Sequence, residues 1–424
     1  MNQKPLTIFP EIKARPAASN EPARKWLKEG LLQVLDNATN GHLVIRERGQ
    51  FLAEFGNPGD PLRAEINVVD PRVYKRALLG GNTAAGEAYV DGWWTTPDIT
   101  QVTRFFSRNL QMMDAWGARF GWLLKPLSWF RAINRANSRQ QAKRNILAHY
   151  DLGNMLYRTF LDSNMQYSSA IYHEESDTLE QAQINKLQRI CEQLQLTKED
   201  HLVEIGTGWG GLAIYAAGNY GCHVTTTTIS DEQYKYVKSR IEEAELEEKI
   251  TLLNKDYREL DGQYDKLVSI EMIEAVGRKY LPDYFAQLDH LLNPGGLAMI
   301  QAITIADQRF QIYSSTEDFI QKHIFPGGFL PSLQLMSQLL ADRTELIIRD
   351  IHDIGLDYAR TLRDWRQNFT ANASELQRLG HDDQFRRLWE YYLGYCEGGF
   401  LERRISTVQM LTSKAPHYPI SEHL

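Results

Sequence analysis

Cysteine is scarce in this 424-residue chain: Cys191, Cys222 and Cys396 are the only three, and none forms a C-x-x-C pair. A set so sparse and odd excludes a disulfide framework and a cysteine-built zinc site, and no metal is expected. Long apolar runs are missing too. The uncharged stretch 291–306 is interrupted by Asn293, Pro294, Gly295 and Gly296, and falls short of the ~18–20 apolar residues of a membrane span. The first residues contain no apolar signal-peptide core, so a cytoplasmic compartment is expected. A positive charge excess is also lacking. The formal net charge is −7, which argues against a globally basic nucleic-acid binder.

What is present is an ordinary globular composition, 43% hydrophobic and 24% charged, compatible with a large core and with two or three domains. The charge is uneven. Between positions 101 and 150 nine bases face one acid, Asp114. Inside this block, 121–135 interleaves Trp122, Leu123, Leu124, Leu127, Trp129 and Phe130 with basic residues. Such a segment suits an anionic bilayer surface. It equally suits a linker whose apolar side packs on protein, and the two are compatible. Upstream, 42–56 reads as a β-hairpin and 68–94 as a strand, a helix and a glycine-punctuated turn.

Downstream the pattern changes. Apolar runs at 202–206, 223–230, 250–256, 266–272 and 297–304 alternate with helical stretches. That alternation predicts an α/β fold: a Rossmann-like, largely parallel sheet with helices on both faces. The first of these strands runs into Gly206-Thr207-Gly208-Trp209-Gly210-Gly211, which loosely satisfies a dinucleotide fingerprint. A nicotinamide cofactor would need an acid at the tip of the second strand for its ribose. That tip reads Thr225-Thr226-Thr227-Thr228-Ile229-Ser230, and the first acid is Asp231. An acid does end the third strand, Asp256, and Glu204 lies within the first. Acids and small polar groups without a basic phosphate clamp suit a positively charged cofactor lacking phosphates, S-adenosylmethionine.

Eight stretches then stand together in order: AHYDLGNMLY (148–157), MQYSSAIY (165–172), EIGTGWGGLA (204–213), TISDEQ (228–233), SIEMIEAVG (269–277), FIQKHIFPGGFLPS (319–332), DYARTLRDW (357–365) and YYLGYCEGGF (391–400). With them the chain resembles the cyclopropane-fatty-acyl-phospholipid synthases. The resemblance implies a lipid-binding N-terminal domain of mixed α/β type (1–120), a basic amphipathic linker (121–147) and a methyltransferase domain (148–424). It also implies a peripheral enzyme on the inner membrane face, acting as a homodimer. Its activity would be methylene addition across the cis double bond of an unsaturated phospholipid acyl chain.

The implied chemistry assigns residues. Tyr167, Trp209, Tyr358 and Phe329 are aromatic faces for a carbocation. A bound bicarbonate is implied as the base that removes the last proton. Glu274, Gln301, Tyr358 and the backbone of Ile303 would hold it, with Ser169 beside them and Cys396 as a further active-site candidate. Tyr167 and Ser168 would lie over the S-adenosylmethionine. Its methionine and ribose would meet 204–210, including Glu204, Gly206, Gly208, Trp209 and Gly210. Thr228, Ser230 and Gln233 would approach the ribose, and Asp256, Tyr257 and Arg258 the adenine. Three positions depart from the commoner pattern: Ser169 for Cys, Gln301 for His, and Thr207 for the Cys of a Gly-Cys-Gly turn. The departures at Ser169 and Gln301 motivate an alternative outcome, a methyl-branched or methylene acyl product from the same cation. A non-catalytic lipid-binding module and a nicotinamide dehydrogenase are the remaining alternatives.

Overall fold

A computed structural model describes residues 21–112 and 153–415 of the chain. The basic amphipathic segment 121–135 and the expected linker 121–147 lie outside the described residues. Two compact units form, one of 21–112 with 369–391, the other of 153–368 with 392–415.

The first unit opens with helix α1 (Glu21–Leu35) and the expected hairpin, β1 (His42–Glu47) and β2 (Gln50–Gly56). Arg48 and Gly49 join the strands with positive φ at both positions, the two-residue turn whose twist matches antiparallel strands. β3 (Arg63–Val68) pairs parallel with β1, and the short β4 (Trp94–Thr95) closes the order β2-β1-β3-β4. Between them runs α2 (Arg72–Val90), broken at Gly81, and after them α3 (Ile99–Arg108), whose first turn is capped by the Asp98 carboxylate.

The second unit holds the short helix α4 (Asn154–Arg158), then α5 (Leu179–Gln193) leading into a seven-stranded sheet. In chain order the elements are β5 (His201–Ile205), α6 (Gly211–Tyr220), β6 (His223–Thr228), α7 (Asp231–Glu243), β7 (Ile250–Asn254), β8 (Tyr264–Ile270), α8 (Leu281–Leu291) and β9 (Leu292–Ile305). After α9 (Phe310–Ser315), α10 (Phe319–His323) and α11 (Leu333–Arg343) come β10 (Leu346–Asp353), α12 (Gly355–Ala371), α13 (Ala373–Arg378), α14 (Asp383–Leu401) and β11 (Ile405–Lys414), of which α13, the end of α12 and the first half of α14 belong to the first unit. The sheet order is β10-β11-β9-β8-β5-β6-β7. The five strands from β9 to β7 are parallel, and β11 is antiparallel to both of its neighbours.

Burial on both sides explains the near-continuous apolar runs read from the sequence. One face packs Tyr284, Phe285, Leu288, Met336 and Leu340 from α8 and α11. The other packs Leu187, Ile190, Leu212, Ala216, Val237 and Ile241 from α5, α6 and α7. The antiparallel addition was not anticipated. β10 reads LIIRDIHD and is largely exposed, an edge strand whose polar side chains mask its pattern. Among the described residues no helix is long and apolar enough to cross a membrane.

Candidate active site

Parallel strands end together, and an open α/β sheet binds its ligands beyond those carboxyl ends. Here that edge carries the loop 206–210 after β5, residues 271–274 after β8, and Gln301 and Ile303 near the end of β9.

The loop after β5 is built by glycine. Gly206 and Gly210 adopt φ of 98° and 84°, a region that penalises any side chain. A Cβ would also meet Met272 Cγ at 3.2 Å from Gly206 and Val237 Cγ1 at 2.9 Å from Gly210. The turn is pinned where the Gly210 N–H donates to the Thr207 carbonyl and the Thr207 N–H to the Thr227 carbonyl, at 2.8 and 2.9 Å. It feeds directly into the N-terminus of α6. Glu204 lies beneath it, buried, accepting from Thr226 Oγ1 at 2.6 Å. Burial pushes its carboxyl up to about 8.

At the tip of β6, Thr228 Oγ1 donates to Gln233 Oε1 at 2.8 Å, while Ser230 Oγ caps α7 by accepting from the Gln233 N–H. Asp256 accepts from the backbone N–H, Nε and Nη2 of Arg258 at 3.0, 2.8 and 2.5 Å, and the guanidinium lies over the Tyr257 ring. The acid expected to face an adenine is thus held by its own neighbour.

The centre of the site is a carboxylate that sequence reasoning passed over. Glu271 follows β8 with φ of 49°. Its Oε1 accepts from the Ser169 N–H at 2.9 Å and from Gln301 Nε2 at 2.8 Å, and its Oε2 accepts from the Tyr358 hydroxyl at 2.8 Å. Three residues away, Glu274 Oε1 accepts from the Ile303 N–H at 2.6 Å, and its buried Oε2 has no partner among the described residues. Burial and the Glu271 charge push Glu274 up to about 8. Burial raises Glu271 as well, opposed by its three donors and by Lys186. Of the pair, Glu271 has the environment of an anion and Glu274 that of a neutral acid.

A relay orients Gln301. Arg189 Nε donates to Gln409 Oε1 at 3.0 Å, and Gln409 Nε2 donates to Gln301 Oε1 at 3.0 Å. Arginine has no acceptor, so Gln409 must offer it oxygen. The second amide then follows, and Gln301 can present only its NH2 to Glu271.

A second unforeseen residue is Lys186. Fully buried on α5, it donates to Gln166 Oε1 at 2.9 Å and Ser168 Oγ at 2.8 Å. Burial lowers its pKa to about 8, against the pull of Asp162, Glu271 and Glu204. The signal was a lysine on the apolar stripe of a helix, in line with Ala182 and Ile190.

Aromatic rings surround these groups. Tyr167 packs against Trp365 at 5.3 Å between ring centres, Tyr157 against Trp209 at 4.8 Å, and Tyr358 against Phe400 at 4.6 Å. The Tyr167 and Tyr392 hydroxyls share a 3.0 Å hydrogen bond, and Trp209 Nε1 donates to Asn154 Oδ1. Trp365, another residue not singled out from sequence, is buried, and its indole nitrogen has no partner among the described residues. Phe329 instead joins the core against Phe310 and Tyr313. Cys396 is half-buried on α14, and desolvation pushes its thiol up. That burial disfavours the thiolate that nucleophilic chemistry needs.

The mycolic acid cyclopropane synthetase family matches residues 137–410. The chain belongs to that family. This cyclopropane synthetase relative is 39% identical over 339 residues to the tuberculostearic acid methyltransferase UfaA1 of Mycobacterium tuberculosis, covering 78% of this chain and 77% of that one. It is 37% identical over 353 residues to the cyclopropane-fatty-acyl-phospholipid synthase of Escherichia coli K12, covering 83% and 88%. Among solved structures, the mycolic acid cyclopropane synthase CmaA1 complexed with SAH and CTAB superposes with a TM-score of 0.59 at 26% identity, over 64% of this chain and 98% of that one. The family member described here is an S-adenosylmethionine-dependent methyltransferase.

The residues present fit S-adenosylmethionine. The loop 206–210 brings bare backbone to the mouth of the sheet, and the β6 tip offers hydroxyl and amide groups rather than a phosphate clamp. They do not fit bicarbonate, and this corrects the expectation from sequence. The donors of the Ser169 backbone, Gln301 and Tyr358 all end on Glu271, and the Ile303 N–H ends on Glu274. The cradle is occupied by a side chain, and a further anion beside Glu271 would meet like charge.

Proposed function

We propose that this methyltransferase alkylates the cis double bond of an unsaturated acyl chain in a membrane phospholipid and closes a cyclopropane ring. The observation that carries the reading is the juxtaposition, at one sheet edge, of a buried carboxylate with a shell of aromatic rings. When bound, S-adenosylmethionine supplies an electrophilic methyl on positively charged sulfur. Residues 204–210, Thr228, Ser230 and Gln233 would hold it, with Tyr167 and Ser168 over it and Asp256, Tyr257 and Arg258 toward the adenine.

An alkene is a weak nucleophile, so the site's first task is to hold it in near-attack geometry. Methylation leaves positive charge on the acyl chain, which water would capture. Tyr167, Trp209, Tyr358 and Trp365 exclude water and offer ring faces, each contact contributing ~0.5–2 kcal/mol. Ring closure then removes a proton from the transferred methyl.

The match to a tuberculostearic acid methyltransferase supports a second outcome, a methyl-branched or methylene product from the same cation. In the methylene case the departing proton also comes from the transferred methyl, so that outcome needs a base at the same place; a saturated methyl branch would further need a hydride donor from outside this protein.

The membrane role belongs to residues 1–120, with 121–147 as a basic connector to the catalytic part 148–424. The nine bases between 101 and 150 support peripheral attachment to anionic lipid on the inner membrane face, and the working unit is a homodimer. The test is incubation with unsaturated phospholipid vesicles and the methyl donor, followed by mass spectrometry and proton NMR of the acyl chains. A gain of one CH2 with far-upfield ring protons supports cyclopropanation. A methylated product without them selects the second reading, and no methylation by folded enzyme overturns both.

A further inference from the structure

We propose that Glu271 is the built-in base of this enzyme, replacing a captured inorganic anion. The inference rests on the acyl-methylation reading and names the group that completes it.

Three independent features converge on Glu271. The first is donor geometry. The Ser169 N–H, Gln301 Nε2 and the Tyr358 hydroxyl all aim at its carboxylate. A carboxylate offers four lone-pair positions. Three are used, and the remaining one is on Oε2. The second is that the amide pointing at it is locked by the Arg189–Gln409 relay, so the pocket is organised for an anion before any substrate enters. The third is the backbone. Glu271 adopts φ of 49°, where a non-glycine residue costs conformational energy and where outliers concentrate at working sites. The Glu271 N–H is nonetheless bonded to the Gln301 carbonyl at 2.8 Å, so the turn that aims the carboxylate is held by the strand it faces.

The chemistry balances without another reactant. The S–CH3 bond breaks as the alkene π pair bonds the methyl carbon, and positive charge passes from sulfur to the second alkene carbon. Glu271 takes one proton from the new methyl. The released C–H electron pair forms the third ring bond, or the exocyclic double bond if a hydride has first shifted. Glu271 ends as a neutral acid and returns its proton to water when product leaves.

The experiment compares wild type, Glu271→Gln and Glu271→Gly in carbon-dioxide-depleted buffer, with and without added bicarbonate. Wild type is expected to methylate equally in both conditions. Glu271→Gln keeps the shape and is expected to lose roughly 10²–10⁴-fold in turnover, the usual share of a positioned base, with S-adenosylmethionine affinity unchanged and no rescue. Glu271→Gly relieves the left-handed backbone and empties the pocket. Its activity should become bicarbonate-dependent, and titration with ¹³C-bicarbonate should show binding by NMR that wild type lacks. A wild type that needs bicarbonate, or a Glu271→Gln variant that keeps its rate, overturns the proposal. A wild type that methylates no lipid under any condition overturns the underlying reading instead.

Discussion

The Gln409→Glu substitution tests how the site is poised, because it changes one atom of the relay and no volume. Gln409 is buried on β11 between Arg189 and Gln301. The substituted carboxylate keeps its partner Arg189 and stays ionised beside it. Toward Gln301, however, it offers only acceptors. Gln301 must then turn over, giving its NH2 to the new carboxylate and its carbonyl oxygen to Glu271. Glu271 loses one of three donors and gains a facing lone pair. A hydrogen bond to a charged group contributes about 1.5–3 kcal/mol, and one pKa unit corresponds to about 1.4 kcal/mol. The Glu271 pKa should therefore rise by about one to two units. The sign follows from the role: a base must be deprotonated, so raising its pKa moves the acid limb of kcat/KM to higher pH. The assay is the pH profile of methyl transfer to unsaturated vesicles, with cofactor affinity and melting temperature as controls. An acid limb that stays in place in a folded, cofactor-binding variant would refute the relay. A uniform drop at every pH would mark Gln409 as structural only.

The remaining predictions draw on other parts of the site. Glu274→Gln should flatten the pH dependence of the melting temperature. With burial pushing its carboxyl up to about 8 from the ordinary 4.5, the native state holds a proton that the unfolded chain releases, so wild-type stability falls as pH rises from about 5 to 8, by up to about 4 kcal/mol; parallel melting curves would contradict this. Lys186→Met leaves Asp162, Glu204 and Glu271 without their buried cation and should cost about 3–5 kcal/mol in urea unfolding, whereas an unchanged midpoint would mean the cluster compensates fully. Trp365→Leu should lower kcat roughly 2- to 30-fold, the loss of one cation–π contact, with Trp365→Phe intermediate and cofactor affinity constant. Equal rates in both variants would remove Trp365 from the cation's surroundings. Vesicle binding should weaken at high salt, where screening shortens to ~3 Å at 1 M, and salt-insensitive binding would point to apolar insertion alone.

Much of the second unit was legible because its strands are buried on both faces. The runs at 202–206 and 266–272 announce β5 and β8 within a few residues, and the glycines at 206–211 announce the turn between β5 and α6. β10 was illegible for the opposite reason: an exposed edge strand reading LIIRDIHD carries neither continuous nor alternating apolar signal. The site was legible only residue by residue. Ser169, Gln301 and Tyr358 were named, but as holders of a separate anion. They meet Glu271 across 102, 30 and 87 positions of sequence, and no local pattern records such a meeting. Nor does composition disclose that Glu271 sits in a left-handed turn.

Glu271 and Glu274 lie three residues apart after the same strand, yet the fold treats them oppositely. One receives three donors and a nearby lysine. The other receives a single backbone N–H and keeps one oxygen unpartnered. Two like charges in so dry a space would repel, and withholding donors from Glu274 is what lets Glu271 carry the charge alone. The same reasoning accounts for Lys186. Its ammonium faces Ser168 and Gln166, and its field reaches Glu271 and Glu204 without a direct bond to either. It lowers the energy of an anion in the pocket while leaving one lone pair of Glu271 Oε2 open. A lysine bonded directly to that oxygen would quench the base; one held a residue away sustains it.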